Sequence, residues 1–529
     1  MDSGHQLLTR ADFAVIIVYV VTVLTIGFWV SFRRNHTDDL FLGGRSFGWG
    51  KIGLAIYATN VHPGMIIALA SVAYSSGMVG SNFEWLAWLF LMLLAMVFLP
   101  HYLNTKISTM PEFMSVRYSE SCRSFLSWYT LFSTLVAFIG GILYTGGVVL
   151  NQLLGWPLWT SIWFLLIIAT SFTVTGGLAA VMVTDVFQAI LMIAGSVALT
   201  VFAFLKIGSV ERVFDSVPAD FWVLFRPASD STYPWHAILL GYPVMGIWFW
   251  CTDQTIVQRL LGARDLKQAQ YGAVLAAFLK IGTPLIFFLP GIFCRVLFPN
   301  LDDPNHAYIT MVTNCMPGYG TVGLIIAVLM AALISTIDAG LNSFSTVFTL
   351  DIYCKKFRPN ADVKERILVG KIVTIVAALL SVIVAMGYAA VKGMDLFSLC
   401  QSILAFLAPP LAAVFIVGVL WPRANSTAAF CTLAVGSIIN IAIGVCYLAE
   451  WLGPKEAWPH FLLLCFYMFA FDVLLMTVIS LLTAPPPADR KLPTLRQASM
   501  HLEGYSAKPV WIWWAVLAAI MTTIYIIVN

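Results

Sequence analysis

Apolar runs of membrane-spanning length recur from one end of the chain to the other. A membrane helix needs about 20 apolar residues. Fourteen candidate runs are expected, at about 11–31, 49–76, 82–102, 123–153, 157–175, 178–205, 235–261, 268–297, 319–353, 366–389, 394–420, 425–447, 460–483 and 510–528. Of the 529 residues, 60% are hydrophobic and 10% charged, against about 25% charged in a soluble domain. In a bilayer each backbone polar group must be paired within its own segment or in a closed barrel, and runs of this length select helices. The expected fold is an all-α polytopic membrane protein, with the lipid bilayer as its surroundings and no separate soluble domain. The net charge of +3 says little about partners, and no nucleic-acid partner is expected. The nine cysteines are scattered and read as small buried apolar residues. The first run lacks a basic leader and a small-residue cleavage site, so it reads as a retained span.

An even number of spans puts both termini on one side. With the termini outside, 21 of the 29 Lys and Arg fall in inside loops or helix ends and 7 outside, while Lys280 lies within a span. The positive-inside bias favours this orientation. The expected location is a cell membrane, plasma or inner, crossed many times.

The second run is interrupted by Asn60, His62, Pro63 and Gly64. Pro63 removes an N–H and clashes with the preceding turn. Opened backbone in a bilayer is tolerated where it lines a cavity or is buried in protein, and carriers hold solute and ion at such breaks. A simple kink without a ligand is the alternative. The seventh run is interrupted in turn at Gly241-Tyr242-Pro243-Val244-Met245-Gly246. Matching interruptions five runs apart predict an inverted repeat. Its copies would span 49–205 and 235–420, with 1–48 a peripheral helix and inner loop, 206–234 an outer loop and 421–529 peripheral helices. Thr175-Gly176-Gly177-Leu178 predicts a tight hairpin, and 105–123 a short interfacial helix on the inside.

Polar side chains within the runs mark the candidate sites. A lysine at the centre of a membrane helix costs about 2.5–3.5 kcal/mol on insertion scales, so Lys280 needs a partner or a wet cavity. Glu84 accepts, Lys280 donates and Gln401 does either, a set suited to the hydroxyls of a neutral polyol. A structural Glu84–Lys280 ion pair is the alternative. Ser335 and Thr336 offer adjacent hydroxyls which, with carbonyls freed by the first break, suit Na+. Helix packing through small polar residues is the alternative. Asp185 and Asp338 form a second acidic set, read either as a further cation or proton site or as structural carboxylates. His62 reads as a break residue or pocket liner, with a proton carrier as the alternative. No H-E-x-x-H, G-x-S-x-G or P-loop motif is present, and no enzyme is expected.

Several stretches, in order, resemble the sodium/solute symporter family, and within it the sodium–glucose (galactose) cotransporter branch. They are Asp39-Leu40-Phe41-Leu42-Gly43-Gly44-Arg45-Ser46, the break around Asn60, Glu84-Trp85, Met110-Pro111-Glu112-Phe113, and Gly176-Gly177-Leu178 with Thr184-Asp185-Val186-Phe187-Gln188. Gln258-Arg259, Ala277-Phe278-Leu279-Lys280, Leu341-Asn342-Ser343 and Gly418-Val419-Leu420-Trp421 continue the match. The resemblance implies a five-helix inverted repeat and fourteen spans. It implies a Na+ site at Ala58, Val61, Ala332, Ser335 and Thr336, and in some members a second Na+ near Asp185. It implies sugar contacts at Glu84, Lys280 and Gln401, with Asn60, Met65, Gly246 and Trp250 around them, and gates at Leu69, Phe249 and Phe397. Phe249 stands where a tyrosine is usual, Met65 where a Gln or His is, Ala87 where a serine is, and Gly246 where an asparagine can be. A less polar pocket is therefore expected.

The function expected from all this is Na+-coupled symport of a sugar, a hexose or related polyol, into the cell by alternating access. The alternatives are the same fold carrying inositol, sialic acid, a nucleoside or an organic acid, and a ligand sensor that does not transport.

Overall fold

The structure, a computed structural model, describes residues 8–33, 40–230, 232–390, 396–454, 457–487 and 506–528. Among these residues every regular element is helical, and extended pairing is confined to two isolated bridges, Phe47 with Ala263 and Arg226 with Pro234. Apart from two short helices, Val210–Asp215 and Ala307–Cys315, the helices in chain order are α1 (Arg10–Arg33), α2 (Trp49–Asn60), α3 (Pro63–Ser76), α4 (82–104), α5 (Met110–Arg117), α6 (Glu120–Leu154), α7 (Leu158–Ile207) and α8 (Trp235–Gly246). There follow α9 (Gln254–Leu261), α10 (Leu266–Leu297), α11 (Thr321–Phe357), α12 (Val363–Ala390), α13 (Leu396–Leu420), α14 (Ser426–Leu448), α15 (Phe461–Leu482) and α16 (Lys508–Val528).

Among the described residues, eleven helical runs are long and apolar enough to cross a membrane, against the fourteen expected. The difference has local causes. The run Pro63–Asn104 joins the second half of the broken span to the next span, and Leu158–Ile207 holds two expected spans in one run. The α8–α9 span is interrupted and is not among the eleven. The 50-residue α7 divides at Gly177, where φ is +54°. A Cβ there would fall on the Leu40 carbonyl, which accepts a 2.9 Å bond from the Leu178 N–H, so this turn requires glycine. The expected inner helix is α5, capped by the Thr109 hydroxyl, which accepts from the Glu112 N–H.

The first expected break is present. The backbone is extended at Val61 and His62 between α2 and α3. Pro63 at the first helical position suits α3, because its missing N–H would have had no helical partner. The His62 ring caps the helix, Nδ1 accepting from the Met65 N–H at 3.2 Å.

The second break lies elsewhere than expected. Pro243 stays inside α8, and the helix continues through a π-helical turn, Ile247–Thr252, before stopping at Asp253. Two contacts hold the helix through its proline. Gly241 lies so close to the Leu462 backbone that a Cβ would collide with its carbonyl, and the Tyr242 hydroxyl bonds the Phe83 carbonyl. The stop is set by Asp253, which is extended and caps α9 by accepting from the Thr255 N–H at 2.8 Å.

Helix α11 is buried along nearly its whole length up to Val347. It packs on α7, and α10 packs on both α2 and α3. Helices α1, α12 and α16 expose large apolar side chains such as Ile17, Ile383 and Trp511. This is the pattern of a membrane protein whose outer helices face lipid.

Candidate functional site: a cavity at the first helix break

Ending α2 at Asn60 leaves carbonyls of its last turn without helical donors. The Val61 N–H still reaches Tyr57 O at 3.1 Å. The next two carbonyls are met from α11. The Ser335 hydroxyl lies 3.0 Å from Ala58 O and 3.1 Å from Ala332 O. The Thr336 hydroxyl lies 3.3 Å from Thr59 O and 2.8 Å from Ala332 O. All of these residues are fully buried. The fold thus gathers Ala58, Ala332, Ser335 and Thr336. The second carbonyl reached from α11 is that of Thr59; Val61, the other expected carbonyl ligand, is fully buried two residues further on. A run of hard oxygen atoms with no charged donor among them is chemistry that suits a small monovalent cation.

Adjoining this cluster at Thr59 lies a cavity of about 400 Å³. Of the expected substrate contacts, Asn60, Glu84, Met65, Gly246, Trp250 and Gln401 line it, and so do the expected gates Leu69 and Phe249. Lys280 stands behind this wall. Its ammonium bonds both Glu84 Oε2 and Asn60 Oδ1, and it lies 5.6 Å from the centre of the Trp250 ring. Phe397 carries the third expected gate, and its side chain lies outside the described residues.

Further lining residues escaped the sequence reading. Thr145 and Gln152 come from α6, and Asp303 and Asn305 from the loop after α10. They are ordinary polar residues in ordinary places, so only the packing of α6 beside α3 reveals them. Gly246 offers less room than its size suggests. A Cβ there would sit 2.8 Å from Phe90 Cγ, so the backbone itself forms that wall.

The acidic set separates into unlike halves. Asp185 Oδ2 accepts from Arg259 Nη2 at 2.8 Å, with both side chains essentially inaccessible. Arg259 also bonds Thr255 O at 2.6 Å. Asp338 is fully buried on α11, and neither carboxyl oxygen meets a side-chain donor among the described residues. Arg259 had no role in the sequence reading. The available signal was that an intramembrane aspartate requires a partner.

Comparison with known proteins identifies the chain. A family model described as the sodium:solute symporter family matches residues 40–436. Sodium/glucose cotransporter 4 of Danio rerio is 34% identical over 526 residues, covering 91% of this chain and 80% of that protein. The sodium/mannose cotransporter SLC5A10 of Bos taurus is 36% identical over 495 residues, covering 86% and 82%. A solved structure of a Na+-coupled sialic acid symporter, in a substrate-bound outward-open state, superposes with a TM-score of 0.79 at 24% identity, over 90% of this chain and 99% of that one. That likeness establishes the fold. A carrier and not an enzyme was expected, and these relatives agree. The chain belongs to the sodium:solute symporter family.

Proposed function

We propose that this protein carries a hexose or related polyol into the cell together with Na+, by alternating access. One juxtaposition supports the reading above the rest. The Asn60–Lys280–Glu84 cluster on the cavity wall and the Ser335/Thr336 hydroxyls both engage the end of α2. A cation held by Ala58, Val61, Ala332, Ser335 and Thr336 would fix the α2 end against α11. In doing so it would set the cavity wall that solute meets at Asn60. Such a shared element couples two ligands, and the coupling is reciprocal by linkage. The names of the glucose and mannose relatives support the sugar class.

In this reading Glu84, Asn60 and Gln401 contact sugar hydroxyls, and Met65, Gly246 and Trp250 shape the remainder. Lys280, bonded to both Asn60 and Glu84, holds that pair of acceptors in place. Leu69, Phe249 and Phe397 are the gates. The repeats are 49–205 and 235–420, and both termini face outside a plasma or inner membrane. The loop after α10, which carries Asp303 and Asn305, then lies outside, so the cavity reaches toward the outside. Asp185 is held by Arg259, and Asp338 is the candidate for a further cation or a proton. A membrane potential supplies about 2.3 kcal/mol per charge per 100 mV, which drives accumulation.

The test is uptake of a labelled hexose panel into proteoliposomes under an inward Na+ gradient, with K+ as control. Na+-dependent uptake that is lost in Lys280→Ala supports the reading. No uptake of any hexose, with uptake of inositol or sialic acid instead, would overturn the hexose assignment. Ligand binding without accumulation would overturn symport in favour of a sensor.

A further inference from the structure

Helices α13, α14 and α15 contain one charged residue among them, Asp472. It is fully buried in the middle of α15. Among the described residues no Lys, Arg or His lies within ion-pair distance of it, and its one side-chain donor is the neutral amide of Asn440, at 2.8 Å to Oδ2. The other carboxyl oxygen, Oδ1, is buried without a partner, as are Asn440 Oδ1 and the Ser437 hydroxyl.

The neighbourhood is arranged around that oxygen. Helix α14 widens into a π-helical turn at Thr432–Gly436, immediately before Ser437. Such turns free backbone carbonyls and mark functional positions. Gly436 ends the turn. A Cβ there would collide with Asp472 Oδ1 and lie 3.5 Å from the Pro410 Cβ, so glycine leaves the space into which the carboxyl points. Pro409 and Pro410 have no N–H, so the carbonyls of Ala405 and Phe406 lose their helical donors. Among the described residues, Tyr129 on α6 and Cys465 on α15 are titratable groups within electrostatic reach of Asp472. The Tyr129 hydroxyl is already committed to Leu407 O, at 2.7 Å. The other packed neighbour, α8, has His236 as its one ionisable nitrogen, near its opposite end from the π turn.

We propose that Asp472, with Asn440 and Ser437, forms a monovalent-cation site at the meeting of α13, α14 and α15, apart from the transport cavity. The chemistry is one of acceptors. Three oxygens of these side chains lack donors and a fourth is satisfied by an amide. A carboxyl group so placed inside a membrane needs a positive charge, which a proton on the carboxyl or a Na+ bound to the oxygens supplies. The site stands on α13, the last helix of the proposed second repeat, and on the two helices that follow it. Its occupancy therefore bears on how the core is braced.

The experiment uses the full-length protein in lipid nanodiscs and infrared spectroscopy of the carboxylic-acid carbonyl band. The comparisons are wild type, Asp472→Asn and Asn440→Ala, in Na+-free choline buffer and after Na+ addition. A protonated-carboxyl band lost in Asp472→Asn and shifted in Asn440→Ala is expected. If Na+ abolishes that band, the cation is Na+. If the band persists in Na+, the cation is a proton. Asn440→Ala retains the carboxyl, so it reads the site even should Asp472→Asn fold poorly. Absence of any such band from mildly acidic to neutral pH, with no spectral response to Na+ that Asp472→Asn or Asn440→Ala alters, would overturn the proposal.

Discussion

Lys280 on α10 is bonded to Glu84 on α4, and the side chains are only 2% and 6% exposed. A pair so far from solvent responds asymmetrically to mutation. Removing one partner strands a charge at a cost of about 3–5 kcal/mol, whereas neutralising both is far milder. Lys280→Met should therefore abolish uptake and markedly lower thermal stability. Lys280→Met with Glu84→Gln should recover most of the stability and none of the uptake. Thermal melts beside proteoliposome uptake check both; full stability in the single variant would mean that the pair carries no structural load.

Ser335 and Thr336 meet carbonyls of the broken span with one hydroxyl each. If the two hydroxyls ligate Na+ as proposed, loss of either removes one oxygen ligand and leaves a carbonyl unmet, worth about 1–1.5 kcal/mol. Ser335→Ala and Thr336→Ala should each raise the Na+ concentration for half-maximal uptake about tenfold, with little change in maximal rate. A Na+ titration of uptake decides it, and an unchanged midpoint would remove these hydroxyls from the ion site.

Gly246 faces Phe90 too closely for a side chain. Gly246→Asn adds a side chain where the wall is already filled, so it should overpack the wall by about 1–3 kcal/mol. Adding Phe90→Leu should relieve the strain. Thermal stability of the single and double variants tests this, and a single variant as stable as wild type would show that Phe90 readily moves aside.

Asp338 is buried within electrostatic reach of the Asp185–Arg259 pair and, among the described residues, has no side-chain donor of its own. Asp338→Asn preserves shape while removing the ionisable group. If the carboxyl takes a cation or a proton, the charge moved per solute should fall by about one. Currents measured alongside tracer flux in the same membranes give that ratio, and an unchanged ratio would make Asp338 structural.

Much of the site was legible in the sequence because its residues break local rules. A proline within an apolar run, a lysine and a glutamate within membrane helices, and paired hydroxyls on a small-residue face are each conspicuous alone. Pro243 was equally conspicuous and misled, since tertiary contacts at Gly241 and Tyr242 keep its helix intact and the chain stops at Asp253. Thr59 and Arg259 were inconspicuous. A backbone carbonyl has no sequence signature, and an arginine near a helix end reads as an ordinary inside charge.

The sequence by itself determined that this chain is a polytopic helical membrane protein, where its first break lies, and which side chains are too polar for lipid. These follow from length, hydropathy and backbone chemistry, which act locally. Tertiary structure alone decided the pairings: Lys280 with both Asn60 and Glu84, Arg259 with Asp185, and Ser335 and Thr336 with the Ala58 and Thr59 carbonyls. A buried polar group reveals that it needs a partner but not which one. That choice is made only when helices far apart in sequence pack side by side.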